Sequence, residues 1–272
     1  MLNHLKSHTL RILTVLACLV LTPTAFAWEL QWLGQAAFKI TTPGDKVILI
    51  DPFITKNPKT PEALKDLKAL GKVDLILITH GHGDHVGDVS ELAKMYGPKV
   101  GVNADMGHTF GILNIVPYDQ LIRFNKSGPI KPLEGITVTM VRAEHSSEVV
   151  HTDPVTNAKS VHPGGEPAGY IIELENGYKI YHAGDTGVFA DMKFIAEYYQ
   201  PDVALLPIGG HFTMDPVHAA YAINNLLKTK LVIPMHYGTF GLLKGTPEQL
   251  IKALGNTKSE VLVMQPGDIK TF

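Results

Sequence analysis

Short apolar runs recur along the chain and are bounded by glycine, proline or polar residues. Runs of this length that are rich in valine, isoleucine, leucine and aromatic residues are typical of β-strands. They predict strands over residues 29–33, 38–41, 46–50, 75–78, 136–141, 169–174, 179–182, 203–206, 231–233 and 261–264. Asn176-Gly177, which separates two of these runs, predicts a tight hairpin turn.

Other apolar residues recur at the spacing of an amphipathic helix. The two clearest helical faces consist of Val89, Leu92, Ala93 and Tyr96, and of Val217, Ala220, Ile223 and Leu227. Pro61, Pro216 and Pro247 stand where first helical turns would begin. Hairpins early in the chain and strand–helix alternation later predict a sheet-rich sandwich with helices on its outer faces.

The first 27 residues have a different pattern from the rest of the chain. Lys6 and Arg11 occur without acidic residues, an apolar run covers 12–21, and Ala25-Phe26-Ala27 places small residues at its first and third positions. This order is typical of a secretory signal peptide cleaved after Ala27, and the run is shorter than the roughly 20 residues of a membrane span. A lipoprotein acylated at Cys18 is the alternative, which we rank second because the apolar run continues beyond Cys18.

Residues 28–272 contain no repeat, low-complexity tract or linker, so we expect 1–27 to be a signal peptide and 28–272 a single domain located in the periplasm or secreted. The chain has 45% apolar and 18% charged residues, which is typical of globular proteins. Its net charge of −2 argues against a nucleic-acid partner. Cleavage would remove the one cysteine, so the mature domain would form no disulfide.

Several polar side chains directly follow predicted strands. Asp51, His80, Asp185 and His236 each come just after an apolar run. Because strand ends bring distant parts of a chain to one edge of a sheet, we expect these residues to share a site.

The segment Thr79-His80-Gly81-His82-Gly83-Asp84-His85 carries four potential metal ligands within six residues. A glycine-rich loop can turn such side chains toward a common centre, and imidazole with carboxylate ligands suits zinc while also admitting manganese or iron. A solvated histidine-rich loop is the alternative, which the flanking strand and amphipathic helix disfavour. Together with His145, Asp185 and His236, these residues could hold two divalent metal ions with open positions.

These motifs together resemble the metallo-β-lactamase superfamily. The resemblance rests on His80-x-His82-x-Asp84-His85, on His145, on Asp185 in Ala-Gly-Asp-Thr-Gly, on His236 in Pro-Met-His-Tyr-Gly, and on Asp51 before Pro-Phe. Residues 164–170 and 207–214 are similar to compact metal-dependent hydrolases that resemble ascorbate-6-phosphate lactonase and N-acyl-phosphatidylethanolamine phospholipase D. The resemblance implies an α/β (α+β) fold, an αββα sandwich of two mixed sheets with outer helices.

The resemblance also implies a role for each ligand. One metal would be held by His80, His82 and His145, the other by Asp84, His85 and His236, and Asp185 would bridge them. The shared hydroxide would attack a carbonyl carbon or a phosphorus, so Asp84 and Asp185 would serve catalysis as well as metal binding. Asp51 would orient a ligand from behind.

Three further features are assigned without a motif. His211, on a loop after a strand, is a candidate for contacting substrate or donating a proton. His182 is expected to support the turn that carries Asp185. Residues 146–163 form either a lid over the site or an exposed loop with no chemical role.

We therefore expect a secreted or periplasmic dinuclear hydrolase that cleaves a phosphodiester or a lactone or ester in a small or lipid-like substrate. A zinc β-lactamase is one alternative, which Asp185 disfavours because those enzymes usually place cysteine or serine near the second metal. A non-catalytic periplasmic metal-binding protein is another, which the complete ligand set disfavours. The sequence leaves the oligomeric state open, a homo-oligomer included.

Overall fold

The computed structural model describes residues 27–272, and the predicted signal peptide and Cys18 lie outside these residues except for Ala27. The strands are β1 (Glu29–Gly34), β2 (Ala37–Thr41), β3 (Val47–Ile50), β4 (Leu75–Leu77), β5 (Lys99–Asn103), β6 (Leu121–Phe124), β7 (Pro129–Leu133), β8 (Ile136–Arg142), β9 (Glu148–Thr152), β10 (Lys159–Pro163), β11 (Ala168–Glu173), β12 (Lys179–His182), β13 (Val203–Pro207), β14 (Leu231–Met235), β15 (Glu260–Val261) and β16 (Ile269–Thr271).

The strands form two seven-stranded sheets and one separate hairpin. The first sheet has the order β16-β1-β2-β3-β4-β5-β6, the second has the order β15-β14-β13-β12-β11-β8-β7, and β9 pairs with β10. Both large sheets are mixed, because β3 to β6 run parallel beside an antiparallel hairpin and β12 to β15 run parallel beside β11 and β8.

The helices are α1 (Gly83–Val86), α2 (Val89–Tyr96), α3 (Ala104–Ile112), α4 (Met192–Phe194), α5 (Pro216–Tyr221) and α6 (Pro247–Leu254). Helices α4 and α5 continue as wider π-helical turns over Ile195–Tyr199 and Ala222–Leu227. Asp215 caps α5 by accepting hydrogen bonds from the backbone of Val217 and His218, and Thr246 forms a capping box with Gln249 at α6. None of the helices among residues 27–272 is long and apolar enough to cross a membrane.

Alternation along the strands places the core between the two sheets. Ile48 and Ile50 of β3 face the second sheet, whereas Leu49 between them faces α2 and α3. The other face of the second sheet packs against α4, α5 and α6 through residues such as Leu206 and Ile223. The four layers form the expected αββα sandwich.

Some sequence-based expectations were wrong in detail. Pro61 precedes a short 3₁₀ turn (Glu62–Leu64) rather than an α-helix. Val217 is 67% exposed, because α5 turns Ala219 and Ala220 toward the sheet instead. The run 261–264 pairs only at its start, where β15 meets β14.

The ends of the described domain lie in neighbouring strands. Trp28 is buried and stacks on Phe272 with ring centroids 4.4 Å apart. The backbone amide of each residue donates to the carbonyl of the other, at 3.2 Å from Trp28 and 2.9 Å from Phe272. The two ends of the described domain therefore meet at one edge of the first sheet, where β1 pairs with β16.

Candidate metal centre

Asp51 fixes the glycine-rich loop between β4 and α2, which carries the histidines of the candidate site. Asp51 accepts hydrogen bonds from the Thr79 amide at 2.8 Å and from the Thr79 hydroxyl at 2.6 Å. The same carboxylate lies 2.7 Å from His85 Nδ1, and the Thr79 hydroxyl lies 3.0 Å from His80 Nδ1. With these Nδ1 atoms donating, the Nε2 atoms of both rings are left to accept a cation.

Tight backbone packing fixes the same loop from the opposite side. Helix α1 is a single turn that ends at Gly87, whose φ is +39°. A Cβ at Gly87 would lie 2.4 Å from the carbonyl oxygen of Pro52, so this position requires glycine. This contact packs the turn that carries Asp84 and His85 against the residues that follow β3.

The remaining ligand residues come from the second sheet. His145 follows β8, Asp185 follows β12 and His236 follows β14. Gly187 donates to the carbonyl of Glu144 at 2.9 Å, which ties the His145 loop to the Asp185 loop. The edge at which strands of the two sheets end therefore carries all seven predicted ligands.

Asp185 lies at the centre of the cluster. Its Oδ2 atom is 3.0 Å from His236 Nε2, 3.3 Å from His85 Nε2 and 3.6 Å from His145 Nε2. Among the described residues, three groups have ligand atoms within 4.8 Å of one another: His80, His82 and His145; His80, His85 and Asp185; and Asp84, His85 and His236. The three groups overlap through His80 and His85, so they form one continuous cluster of candidate ligands.

The donor chemistry of the cluster fits metal ions. His85 Nε2 and Asp185 Oδ1 are buried and have no hydrogen-bond partner. A buried polar atom without a partner costs about 1–3 kcal/mol, and a cation in the cluster would satisfy both atoms. The ring nitrogens His80 Nε2 and His82 Nδ1 also face one another at 2.9 Å, a position where two lone pairs can converge on one cation.

Burial and mutual charges set the protonation of these ligands. Burial lowers the pKa of His80 well below its usual value and also lowers the pKa of His82 and of His145. Those three rings are therefore neutral, which is the form that binds metals. Burial raises the pKa of Asp185, but the charges of His236 and His85 outweigh it and hold that pKa well below its usual value.

His236 titrates differently from the three neutral rings. Burial lowers its pKa, but the carboxylate of Asp185 outweighs burial and raises the pKa of His236 to about 9. The carboxylate thus stabilises a proton on His236 Nε2, the nitrogen that a cation would take. Metal binding is therefore coupled to proton release at His236.

The cluster opens into a cavity of about 740 Å³. Its lining comprises Phe53, Lys56, His82, Gly83, Asp84, His145, Ser146, Asp185, Phe212, His236, Phe240 and Leu243. His211 instead lines a neighbouring cavity of about 770 Å³ with Lys244 and Lys252. The structure therefore brings the seven predicted ligands together and places His211 on the far side of Phe212.

The segment 146–163 forms the β9–β10 hairpin. Its base supports the metal loop, because Ser147 Oγ accepts a hydrogen bond from the Gly81 amide at 3.1 Å and Val149 is buried under the first sheet. Within this hairpin segment, only Ser146 is among the residues that line the cavity. His182 supports the turn before Asp185: its Nδ1 accepts from the Gly184 amide at 3.1 Å, and its Nε2 lies 3.0 Å from the Ala36 carbonyl oxygen.

Gln35 is a site residue that the sequence patterns did not indicate. It lies buried in the turn between β1 and β2 with a φ of +53°. Its side-chain Nε2 donates to Asp84 Oδ2 at 2.8 Å and lies 2.8 Å from His236 Nε2. Its carbonyl oxygen accepts from the His236 amide at 3.0 Å. A lone glutamine after a glycine carries no metal-ligand signal, so only the folded neighbours reveal this contact.

Comparisons with known proteins identify the family of the chain. A family model described as "Beta-lactamase superfamily domain" matches residues 46–237. A UPF0173 metal-dependent hydrolase of Polaromonas sp. is 54% identical over 97% of this chain and 98% of the relative, and one of Rubrobacter xylanophilus is 44% identical over 88% of this chain and 95% of the relative.

Solved structures show the same fold. A metallo hydrolase of the hyperthermophilic archaeon Ignicoccus hospitalis has a TM-score of 0.77 and 37% identity, over 90% of this chain and 98% of that one. An isothiocyanate hydrolase from Delia radicum gut bacteria has a TM-score of 0.65 at 15% identity, over 89% of this chain and 98% of that one, a likeness of fold alone. The metal-ligand cluster, the αββα layers and these relatives agree, and the chain belongs to the β-lactamase superfamily as a metal-dependent hydrolase of the UPF0173 group.

Proposed function

We propose that the chain is exported and acts as a dinuclear metal-dependent hydrolase on an ester, a lactone or a phosphodiester. The observation that carries the proposal is the position of Asp185 Oδ2, within 3.0 to 3.6 Å of ring nitrogens from His85, His145 and His236. A buried carboxylate that lies between two histidine-containing groups could contact two neighbouring cations at once.

The proposal divides the seven ligands between two metal positions. His80, His82 and His145 would hold one cation, Asp84, His85 and His236 the other, and Asp185 would contact both. When bound, such ions act as Lewis acids and lower the pKa of bound water to about 7. Zinc is the ion we propose, since imidazole-rich sets suit it, although nitrogen and oxygen ligands also suit manganese and iron.

The protein's own groups then define how a substrate is received. Asp185 stays ionised at neutral pH because of its two histidine neighbours, so it acts as a fixed negative charge and not as a proton donor. The Asp51–Thr79 contacts hold the rings of His80 and His85 in one orientation. Proton donation by His211 remains a prediction, because its side chain lines the neighbouring cavity.

Metal content tests the dinuclear proposal most directly. Protein purified without chelator and saturated with zinc should contain about two metals per chain by elemental analysis. Asp185→Asn keeps the shape of the side chain but removes its charge, so it should lower the metal content. The same variant should lower kcat by about 10²- to 10³-fold. Asp191→Asn, an exposed surface carboxylate paired with Arg142, is the matched control. A saturated content of one metal per chain would exclude the shared position.

Turnover tests whether the centre is catalytic. The metal-loaded protein should hydrolyse p-nitrophenyl acetate or bis(p-nitrophenyl) phosphate, and a chelator should abolish the activity. Binding of two metals without hydrolysis of either compound would instead support a metal-binding protein without catalytic activity.

Export is tested by the N-terminus of the protein recovered from the cell envelope or culture fluid. Mass spectrometry should find a chain that begins at Trp28. An acylated Cys18 would establish the lipoprotein alternative, and a retained Met1 would contradict export.

A further inference from the structure

The mouth of the metal-ligand cavity is built largely from aromatic side chains. Phe53, Phe212 and Phe240 line it together with the buried Leu243. Phe212 is 54% exposed and Phe240 is 41% exposed, while Phe53 is only 8% exposed. Large apolar side chains that gather around one opening while facing solvent are typical of a surface that receives a ligand.

These three phenylalanines come from three separate loops at the ligand edge. Phe53 lies shortly after Asp51, Phe240 shortly after His236, and Phe212 in the loop after β13. The rings of Phe53 and Phe240 are 6.3 Å apart, so two loops of different sheets meet at the opening.

The loops that carry the exposed rings are held by short backbone hydrogen bonds. The Phe212 amide donates to the Gly210 carbonyl at 2.7 Å, and the Leu243 amide donates to the Phe240 carbonyl at 2.9 Å. The Phe212 ring also stands edge-on to His211, with centroids 4.4 Å apart. The backbone of both loops is thus fixed before any ligand arrives, which limits the entropy that the loops lose on binding.

Positive charge at the opening is sparse. Among the described residues that line this cavity, Lys56 is the one lysine, and none is an arginine. Recognition of a phosphate group usually relies on arginine forks or on several cationic donors. Beyond the metal ligands, the walls therefore supply little positive charge, and their phenylalanines favour a substrate whose remainder is apolar.

Resting on the proposed hydrolase function, we propose that the cluster of Phe53, Phe212 and Phe240 binds the apolar acyl or aryl part of a neutral carboxylic ester or lactone. Hydrolysis adds the oxygen of water to the carbonyl carbon and breaks the bond from that carbon to the alcohol oxygen. An ester yields a carboxylic acid and an alcohol, whereas a lactone yields a single hydroxy acid; in both cases the alcohol oxygen takes up a proton that originates from the water.

A chain-length series tests this assignment. For p-nitrophenyl acetate, butyrate and hexanoate, kcat/KM should rise about fourfold for each methylene that enters the cavity, which corresponds to about 0.8 kcal/mol per buried methylene. Phe212→Ala and Phe240→Ala should flatten the series and lower kcat/KM for hexanoate by about tenfold, with metal content unchanged. Phe194→Ala is the matched control, because Phe194 is 51% exposed and lines a different cavity.

Calorimetry with product acids separates this inference from the proposed function. Octanoate should bind the metal-loaded protein more tightly than acetate, and Phe212→Ala and Phe240→Ala should remove the difference. If this pattern appears without turnover of any ester, the inference stands and the hydrolase proposal fails. Turnover or binding that is independent of chain length, or a length dependence that both variants retain, would overturn the inference.

Discussion

Gln35 connects the first hairpin to two ligands of one proposed metal position. Its amide reaches both Asp84 and His236, and its carbonyl oxygen fixes the backbone of His236. His236 has a φ of +54°, a conformation that a residue other than glycine adopts only with support from its surroundings. Gln35 thus acts on the metal position through other residues and not by ligating.

Replacing Gln35 with leucine should weaken metal binding without unfolding the domain. Loss of the hydrogen bond to Asp84 frees that carboxylate to rotate, and loss of such a supporting contact typically lowers metal affinity about 10- to 100-fold. Competition with a chromogenic chelator would measure the affinity of each of the two metals, and the affinity of one of them should fall. Gln31→Leu, on the same hairpin but bonded to Gly267, is the control. Equal affinities in the two variants would show that Gln35 has no role in binding.

Apolar patterning was sufficient to predict β1 to β4, β8 and β11 to β14, because each carries a buried run along its length. It missed β5, which contains Gly101; a Cβ there would lie 2.8 Å from Leu77 Cδ2, so packing selects a residue that strand patterns disfavour. It also missed β7, whose Pro129 and Pro132 are tolerated because β7 is an edge strand.

The ligand residues could be named from the sequence because histidine and aspartate are residue types that commonly bind metals. The positions of Gln35 and of His211 could not, since each depends on how a loop turns after its strand. His211 has a φ of +61°, and this turn directs the neighbouring Phe212, not His211, into the ligand cavity.

The β9–β10 hairpin offers a paired test of burial. Val149 is 1% exposed and packs among the residues under the first sheet, whereas the next residue, Val150, is 53% exposed. Val149→Ala should lower the free energy of unfolding by about 1–3 kcal/mol through lost burial and a residual cavity. Val150→Ala should change it by less than about 0.5 kcal/mol. Urea denaturation would measure both, and equal effects would contradict the packing described for this hairpin.

The proposed ligands are divided between the two sheets. His80, His82, Asp84 and His85 follow a strand of the first sheet, whereas His145, Asp185 and His236 follow strands of the second. A cation bound by both sets would therefore cross-link the two halves of the sandwich and stabilise the folded domain.

Removing metal should accordingly lower the melting temperature. Binding at 1,000 times the Kd contributes about 4.1 kcal/mol, and for a domain of this size each kcal/mol corresponds to about 2–4 °C. We expect chelation to lower the Tm by about 10 °C in a fluorescence melt and added zinc to restore it. A Tm that stays constant while elemental analysis shows loss of metal would contradict the cross-link.

The same division of ligands has a kinetic consequence. His85 and His236, which share one proposed position, are far apart along the chain, so that position is complete only after both sheets have formed and docked. Contacts that form after the transition state of folding leave the folding rate nearly unchanged and slow unfolding instead. Metal should therefore extend the lifetime of the folded protein rather than speed its formation, and the holoprotein would owe its persistence to slow opening of the sandwich.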